Sequence, residues 1–291
     1  MKAPPFRYHR PSTIAEAVEL LATLDNARAI AGGQSLMPMM NFRLVTPDHL
    51  IDLGEIEELV GVTESEDTLS IGAMTTQRTL ERSERVARDC PLITAALRHV
   101  GHQQTRNRGT IGGSLCHLDP GAELPVAAAA LDAVLIAIGR SGERRIPFAE
   151  FSVGLLSNAL SPDELLARIE LPKVAPRTGT AFVEFNRRPA DFAVVSVAAN
   201  LTFDAAGRIA HAAIAVGGSF EAPVRLQVFE SAGVGQRPEA ALFDAAAREA
   251  EAIECVGDDV YPAEYRQELA GVLVRRALDS VLADVESHAD A

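Results

Sequence analysis

Apolar positions near the start of the chain change from helical to strand spacing within a few residues. Ile14, Ala17, Val18, Leu20 and Leu21 recur at helical intervals behind a Thr13/Glu16 capping-box pair, predicting a helix over 12–24. A mostly apolar strand over 27–31 runs into Gly32-Gly33; a short helical segment and a strand over 49–53 follow. A second unit reads as a strand over 69–73, helices over 76–83 and 91–100, and a polar stretch, His102 to Arg108, leading into Gly109-Thr-Ile-Gly-Gly-Ser114. Residues 133–138 and 144–147 predict a hairpin around Gly139–Gly142, and 165–171 a strand closed by Pro172. Beyond a Pro- and Gly-bearing linker at 173–179, strands over 180–185, 193–203 and 209–216 precede helices over 238–251 and 262–283. The order divides the chain into two α/β units, 1–55 and 56–175, and an α+β domain over 176–291.

Composition narrows the function. With 291 residues, 47% hydrophobic and 23% charged, the chain has enough apolar surface for large cores. A net charge of -13 disfavours phosphate backbones and anionic lipid, so neither nucleic-acid nor membrane-surface binding is the expected work. The three cysteines, Cys90, Cys116 and Cys255, are too scattered to hold zinc or an iron–sulfur cluster. The longest apolar run, Leu124 to Ile138, is too short to cross a bilayer and contains Asp132. No integral membrane segment and no signal peptide are expected, and the predicted location is cytoplasmic.

Candidate chemistry centres on two paired-glycine segments, Ala29-Ile-Ala-Gly-Gly-Gln-Ser-Leu36 and Thr110-Ile-Gly-Gly-Ser114. Glycines permit positive φ and let a ligand approach the backbone amides, and successive amides form a nest for anionic oxygen. A third pair, Gly217-Gly218, reads as a strand end, so the count of such turns decides nothing. No GxGxxG run and no Gly-Lys pair occur, which disfavours a Rossmann NAD site and a P-loop.

These segments, together with Arg106-Asn-Arg108, His117-Leu-Asp-Pro-Gly-Ala-Glu-Leu-Pro125 and Arg187-Arg-Pro-Ala-Asp-Phe-Ala193, give the sequence its resemblance. It resembles the FAD-binding medium subunit of the molybdenum hydroxylases, the family of xanthine dehydrogenase and aerobic carbon monoxide dehydrogenase. The resemblance implies an α+β protein with a vanillyl-alcohol-oxidase-type (PCMH-type) FAD-binding fold in two subdomains, plus a C-terminal α+β domain. It implies FAD contacts from Ala29, Ile30, Ala31, Gly32, Gly33, Gln34, Ser35 and Leu36, and from Thr110, Ile111, Gly112, Gly113 and Ser114. It adds apolar contacts at Val100 and Leu166, ribityl or ribose contacts at Glu123, and Cys116, His117 and Asp119 on a strand or turn beside the isoalloxazine. Phe192 falls where some relatives carry an aromatic over the ring. Where many relatives have a lysine before the Arg-Arg pair, this chain has Glu184-Phe-Asn186.

The implied role is electron transfer. [2Fe–2S] clusters on a small partner subunit would deliver electrons drawn from substrate at a molybdopterin-type molybdenum cofactor on a large one, in a dimer of heterotrimers. FAD would pass them to NAD, oxygen, a quinone or a carrier; the alternative is a stand-alone FAD oxidoreductase. No catalytic residue and no metal ligand is assigned to this chain. His99 and His102 read as helix-end and surface residues, Cys116 as a packing residue, and Met37, Met39 and Met40 as core filling. Arg106 and Arg108 are read either as partners of the diphosphate or as surface or subunit-interface ion pairs. The substrate class, whether N-heterocycle, aldehyde or carbon monoxide, lies outside what the sequence specifies.

Overall fold

The computed structural model describes residues 2–289, in two compact units that each draw on separate stretches of chain. The first unit takes the chain up to Arg82, then His102–Leu118 and Ala133–Leu171. It contains a parallel sheet of β1 (Arg7–His9), β2 (Ala27–Ile30) and β3 (His49–Asp52), in the order β1-β3-β2. Helix α1 (Ile14–Thr23) buries Ala17 and Val18 in a cluster with Ile51 and Leu53. Its predicted cap forms: Thr13 Oγ1 accepts from the Glu16 amide at 3.2 Å. The returning Glu16 carboxylate accepts from the Ser12 amide at 2.8 Å, one residue before the expected Thr13. Helix α2 (Leu36–Asn41) links β2 to β3.

The larger sheet of this unit combines β4 (Val62–Glu64), β5 (Thr68–Gly72), β6 (Val134–Gly139), β7 (Gly142–Pro147) and β10 (Leu165–Pro172), in the order β4-β5-β10-β6-β7. The predicted hairpin is present, with Gly139 opposite Gly142. Around it lie α3 (Gln77–Glu81), α6 (Gln103–Arg108), α7 (Ile111–His117), α9 (Phe148–Phe151) and a small ribbon of β8 (Ser152–Gly154) and β9 (Ser157–Asn158).

The second unit consists of Ser83–Gly101, Asp119–Asp132 and the chain from Pro172 onward. Its antiparallel sheet runs β11 (Thr178–Phe185), β12 (Val195–Phe203), β13 (Ile209–Gly217), β14 (Val224–Arg225). Helices α10 (Gln227–Gly233), α11 (Ala240–Glu251) and α12 (Ala263–Ala289) follow in sequence. Helices α4 (Glu84–Asp89), α5 (Pro91–Leu97) and α8 (Glu123–Ala130) come from earlier in the chain. Two glycines seat helices on opposite faces of this sheet. A Cβ at Gly179 would lie 2.3 Å from the Val281 carbonyl oxygen of α12, and one at Gly217 2.4 Å from Val126 of α8. No helix among the described residues is long and apolar enough to cross a membrane.

Candidate functional site

The first glycine segment leaves the end of β2 and enters α2 through a tight turn. Its two glycines are required for different reasons. Gly33 has φ +71°, a left-handed conformation, and a Cβ there would still find ordinary contacts at 3.4 Å from Ile30 and Met37. Gly32 has no such dihedral but no space: its Cβ would stand 2.1 Å from the carbonyl oxygen of Arg108. Gln34 Nε2 donates to the Gly32 carbonyl at 3.1 Å and staples the turn. The backbone amides of Gly33, Gln34, Ser35 and Leu36 donate to no acceptor among the described residues. Four successive open amides in a half-exposed turn offer donors to an acceptor-only ligand.

The second segment departs from the sequence expectation. Thr110 to Ser114 is no free turn but the cap and first turn of α7, and neither Gly112 nor Gly113 has positive φ. The reason is local: Thr110 Oγ1 accepts from the Gly113 amide at 3.0 Å, an N-cap that commits the glycines to helix. The Ser114 amide bonds the Thr110 carbonyl at 3.2 Å, Ile111 the Thr75 carbonyl at 3.2 Å, and Gly112 the Ala73 carbonyl at 2.9 Å. All four amides are therefore already used. Gly112 is glycine because a Cβ would meet that of Ala73 at 2.5 Å; one on Gly113 would lie 2.9 Å from Thr110 Oγ1 and 3.5 Å from Ala31. Ala31 and Gly113 thus bring the two glycine segments side by side, and the Gly32–Arg108 contact locks them there.

Cys116 and His117 lie in the last turn of α7, where a strand or turn was expected, and Leu118 ends the helix in the left-handed region. Asn158 Nδ2 donates to the Cys116 carbonyl at 2.7 Å. Burial pushes the Cys116 thiol up to about 12, as a packing residue requires. Ala29 and Ile30 lie on β2, and Leu166 is buried on β10. Val100, Asp119, Glu123 and Phe192 belong to the other unit. There, Asp119 Oδ1 accepts from the Gly121 amide at 3.0 Å, and Glu123 is buried in the first turn of α8. Phe192 is exposed, with its Cβ 2.9 Å from where a Gly121 Cβ would be.

Sequence reasoning left the partner of one ion-pair arrangement unnamed and missed another. Arg106 bonds both oxygens of Glu81, at 3.1 and 3.0 Å, and Arg78 reaches the same carboxylate at 2.7 Å. Burial pushes the Glu81 carboxyl up, but the Arg106 and Arg78 hydrogen bonds outweigh it and hold it below its ordinary value. The only signal was the i,i+3 spacing of Arg78 and Glu81. His99 lies at the end of α5, as expected, but it is only partly exposed and it is engaged: its Nδ1 lies 3.2 Å from buried Glu184 Oε1, and its ring is 5.4 Å from that of Phe182. Asn186 Nδ2 also donates to Glu184 Oε1, at 2.7 Å. No sequence signal could pair residues this distant in the chain.

Residues 4–174 match the family described as the FAD binding domain in molybdopterin dehydrogenase, and 180–281 match the CO dehydrogenase flavoprotein C-terminal domain. The chain belongs to the family of FAD-binding medium subunits of the molybdenum hydroxylases. The carbon monoxide dehydrogenase medium chain of Afipia carboxidovorans is 37% identical, with 94% of this chain and 96% of that one aligned. The 6-hydroxypseudooxynicotine dehydrogenase complex subunit alpha of Paenarthrobacter nicotinovorans is 36% identical over 97% of this chain and 96% of its own. A solved carbon monoxide dehydrogenase from Hydrogenophaga pseudoflava superposes with a TM-score of 0.95 at 36% identity, covering 98% of this chain and 99% of that one. This family member is therefore an oxidoreductase subunit with an FAD-binding domain and a mixed α+β fold. Its residues fit the cofactor at one point above all: the open amides of Gly33 to Leu36 match the acceptor-only character of a diphosphate.

Proposed function

We propose that this chain is the electron-transfer flavoprotein subunit of a molybdenum hydroxylase. It would take electrons from [2Fe–2S] clusters on a small partner subunit, which receives them from a molybdopterin-type molybdenum cofactor on a large one. In this reading 1–55 and 56–175 are the two subdomains of a PCMH-type FAD-binding fold, and the complex is a cytoplasmic dimer of heterotrimers. The observation that carries it is the row of amides at Gly33, Gln34, Ser35 and Leu36 with no acceptor among the described residues, in a turn set against the end of α6 by the Gly32–Arg108 contact.

Bound FAD supplies the redox chemistry; the protein supplies binding and orientation. The first turn would hold the diphosphate by donating hydrogen bonds from its amides. The second segment works differently, because its amides already serve the protein: α7 acts as a wall that fixes the first turn, with the Ser114 hydroxyl, unbonded among the described residues, as a further donor. Cys116 is assigned packing and no proton transfer, because burial pushes its thiol up to about 12. The diphosphate assignment uses the first unit alone; Val100, Asp119, Glu123 and Phe192 are separate proposals, each open to its own substitution.

Co-purification tests this reading. The chain expressed with its genomic neighbours is expected to yield a three-subunit complex with flavin and iron–sulfur absorbance, and this subunit alone is expected to bind FAD without oxidising any heterocycle or aldehyde. A flavin-loaded single chain that turns such a substrate over by itself would contradict it.

A further inference from the structure

Two arginines flank the glycine segments, and the structure commits only one of them. Arg106 is engaged by both oxygens of Glu81 and its side chain is 12% exposed. Arg108, the last residue of α6, is exposed, and its guanidinium has no hydrogen-bond or ion-pair partner among the described residues. Its own backbone is what presses on Gly32. The backbone of an arginine with an uncommitted side chain is thereby held against the turn that carries the open amides.

We infer that Arg108 supplies the counter-charge for the diphosphate, whereas Arg106 is a positioning residue that holds α6 in place. The inference rests on the FAD reading of the site. Amides are neutral dipoles and leave much of the ligand's negative charge uncompensated. The protein as a whole carries -13, so its background field opposes an anionic ligand. A guanidinium presents a planar fork that matches phosphate oxygens, and an exposed, unpaired one is recruited at the cost of side-chain freedom alone. Arg106 would first have to give up two charge-assisted bonds and leave the partly buried Glu81 to Arg78.

The test is titration of the flavin-free, full-length chain with FAD, followed by flavin fluorescence at low and high salt. The proteins are wild type, R108Q and, as an exposed arginine of β1 in the same unit, R7Q. R108Q is expected to bind about 10- to 100-fold more weakly, the loss of one or two charge-assisted hydrogen bonds. Its affinity should also respond less to salt, because a screened charge pair has been removed. R7Q should match wild type in both. R108Q with wild-type affinity and salt response, or an equal loss in R7Q, would overturn the inference. Failure of the wild-type chain to bind FAD would overturn instead the reading beneath it.

Discussion

The carbonyl oxygen of Arg108 occupies the place where a Cβ of residue 32 would be, 2.1 Å from that position. This one contact sets the first glycine turn against the end of α6, and so fixes the row of open amides relative to the capped start of α7. The site is a pairing of one unsatisfied segment with one satisfied segment.

The two glycines of the first turn should therefore fail differently. Gly32→Ala forces backbone apart and should cost at least the ~1–3 kcal/mol of an overpacked core, with loss of flavin. Gly33→Ala meets only its left-handed dihedral, about 1–2 kcal/mol, with room for the methyl. Thermal melts and flavin-to-protein ratios of the two variants check the order; a more stable Gly32→Ala than Gly33→Ala would contradict it.

Glu81 gives a pH signature. Its carboxyl is held below the ordinary 4.5 by Arg106 and Arg78, so its contribution to stability is complete above that pH. The contribution is lost as pH falls through the lower folded-state value. Glu81→Gln should lower stability at neutral pH, and the gap to wild type should shrink as the solution is acidified below about pH 4.5. Denaturant midpoints measured across that range check it; a gap independent of pH would count against the ion-pair clamp.

Two of the three cysteines, Cys90 and Cys116, should be inert. Burial pushes the thiols of Cys90 and Cys116 up to about 12. Neither should be alkylated in the native protein at pH 8, because the thiolate is the reactive form. Mass spectrometry after brief iodoacetamide treatment should find both intact, with modification appearing once the chain is unfolded. Rapid native labelling of Cys116 would contradict its packing role.

His99 and Glu184 form a pair in the second unit whose burial is unequal: the Glu184 side chain is 1% exposed and that of His99 35%. Glu184 Oε2 has no hydrogen-bond partner among the described residues. Removing the histidine with His99→Leu should destabilise by about 1–3 kcal/mol, the cost of leaving a buried acceptor less satisfied. His99→Leu combined with Glu184→Leu should recover most of that loss. Additive destabilisation in the double mutant would show that the two residues are not coupled.

What the sequence made legible follows from physical scale. The first glycine turn was readable because a strand-like run meets two glycines, and Gly33 indeed takes the positive φ that only glycine accepts cheaply. The second was misread as a turn because its fate rests on Thr110, whose hydroxyl caps α7. Helix α6 was hidden because His102 to Arg108 is polar all round and shows no apolar period. Helix α8 was hidden for the opposite reason: every residue from Glu123 to Ala130 is buried, so no polar face marks its period. Strands β1 and β14 are too short for any alternation to show. The drawing of the second unit from three separate stretches lies in long-range contacts that no local pattern encodes.

Amide hydrogen exchange, with and without FAD, reads whether the first turn holds the diphosphate. The amides of Gly33, Gln34, Ser35 and Leu36 have no protein acceptor among the described residues, whereas those of Ile111, Gly112, Gly113 and Ser114 are already bonded. FAD should slow exchange sharply across 33–36 and change little across 111–114, with the free chain already protected at the latter. Unchanged exchange at 33–36 on addition of saturating FAD would show that the diphosphate is not held by the first turn.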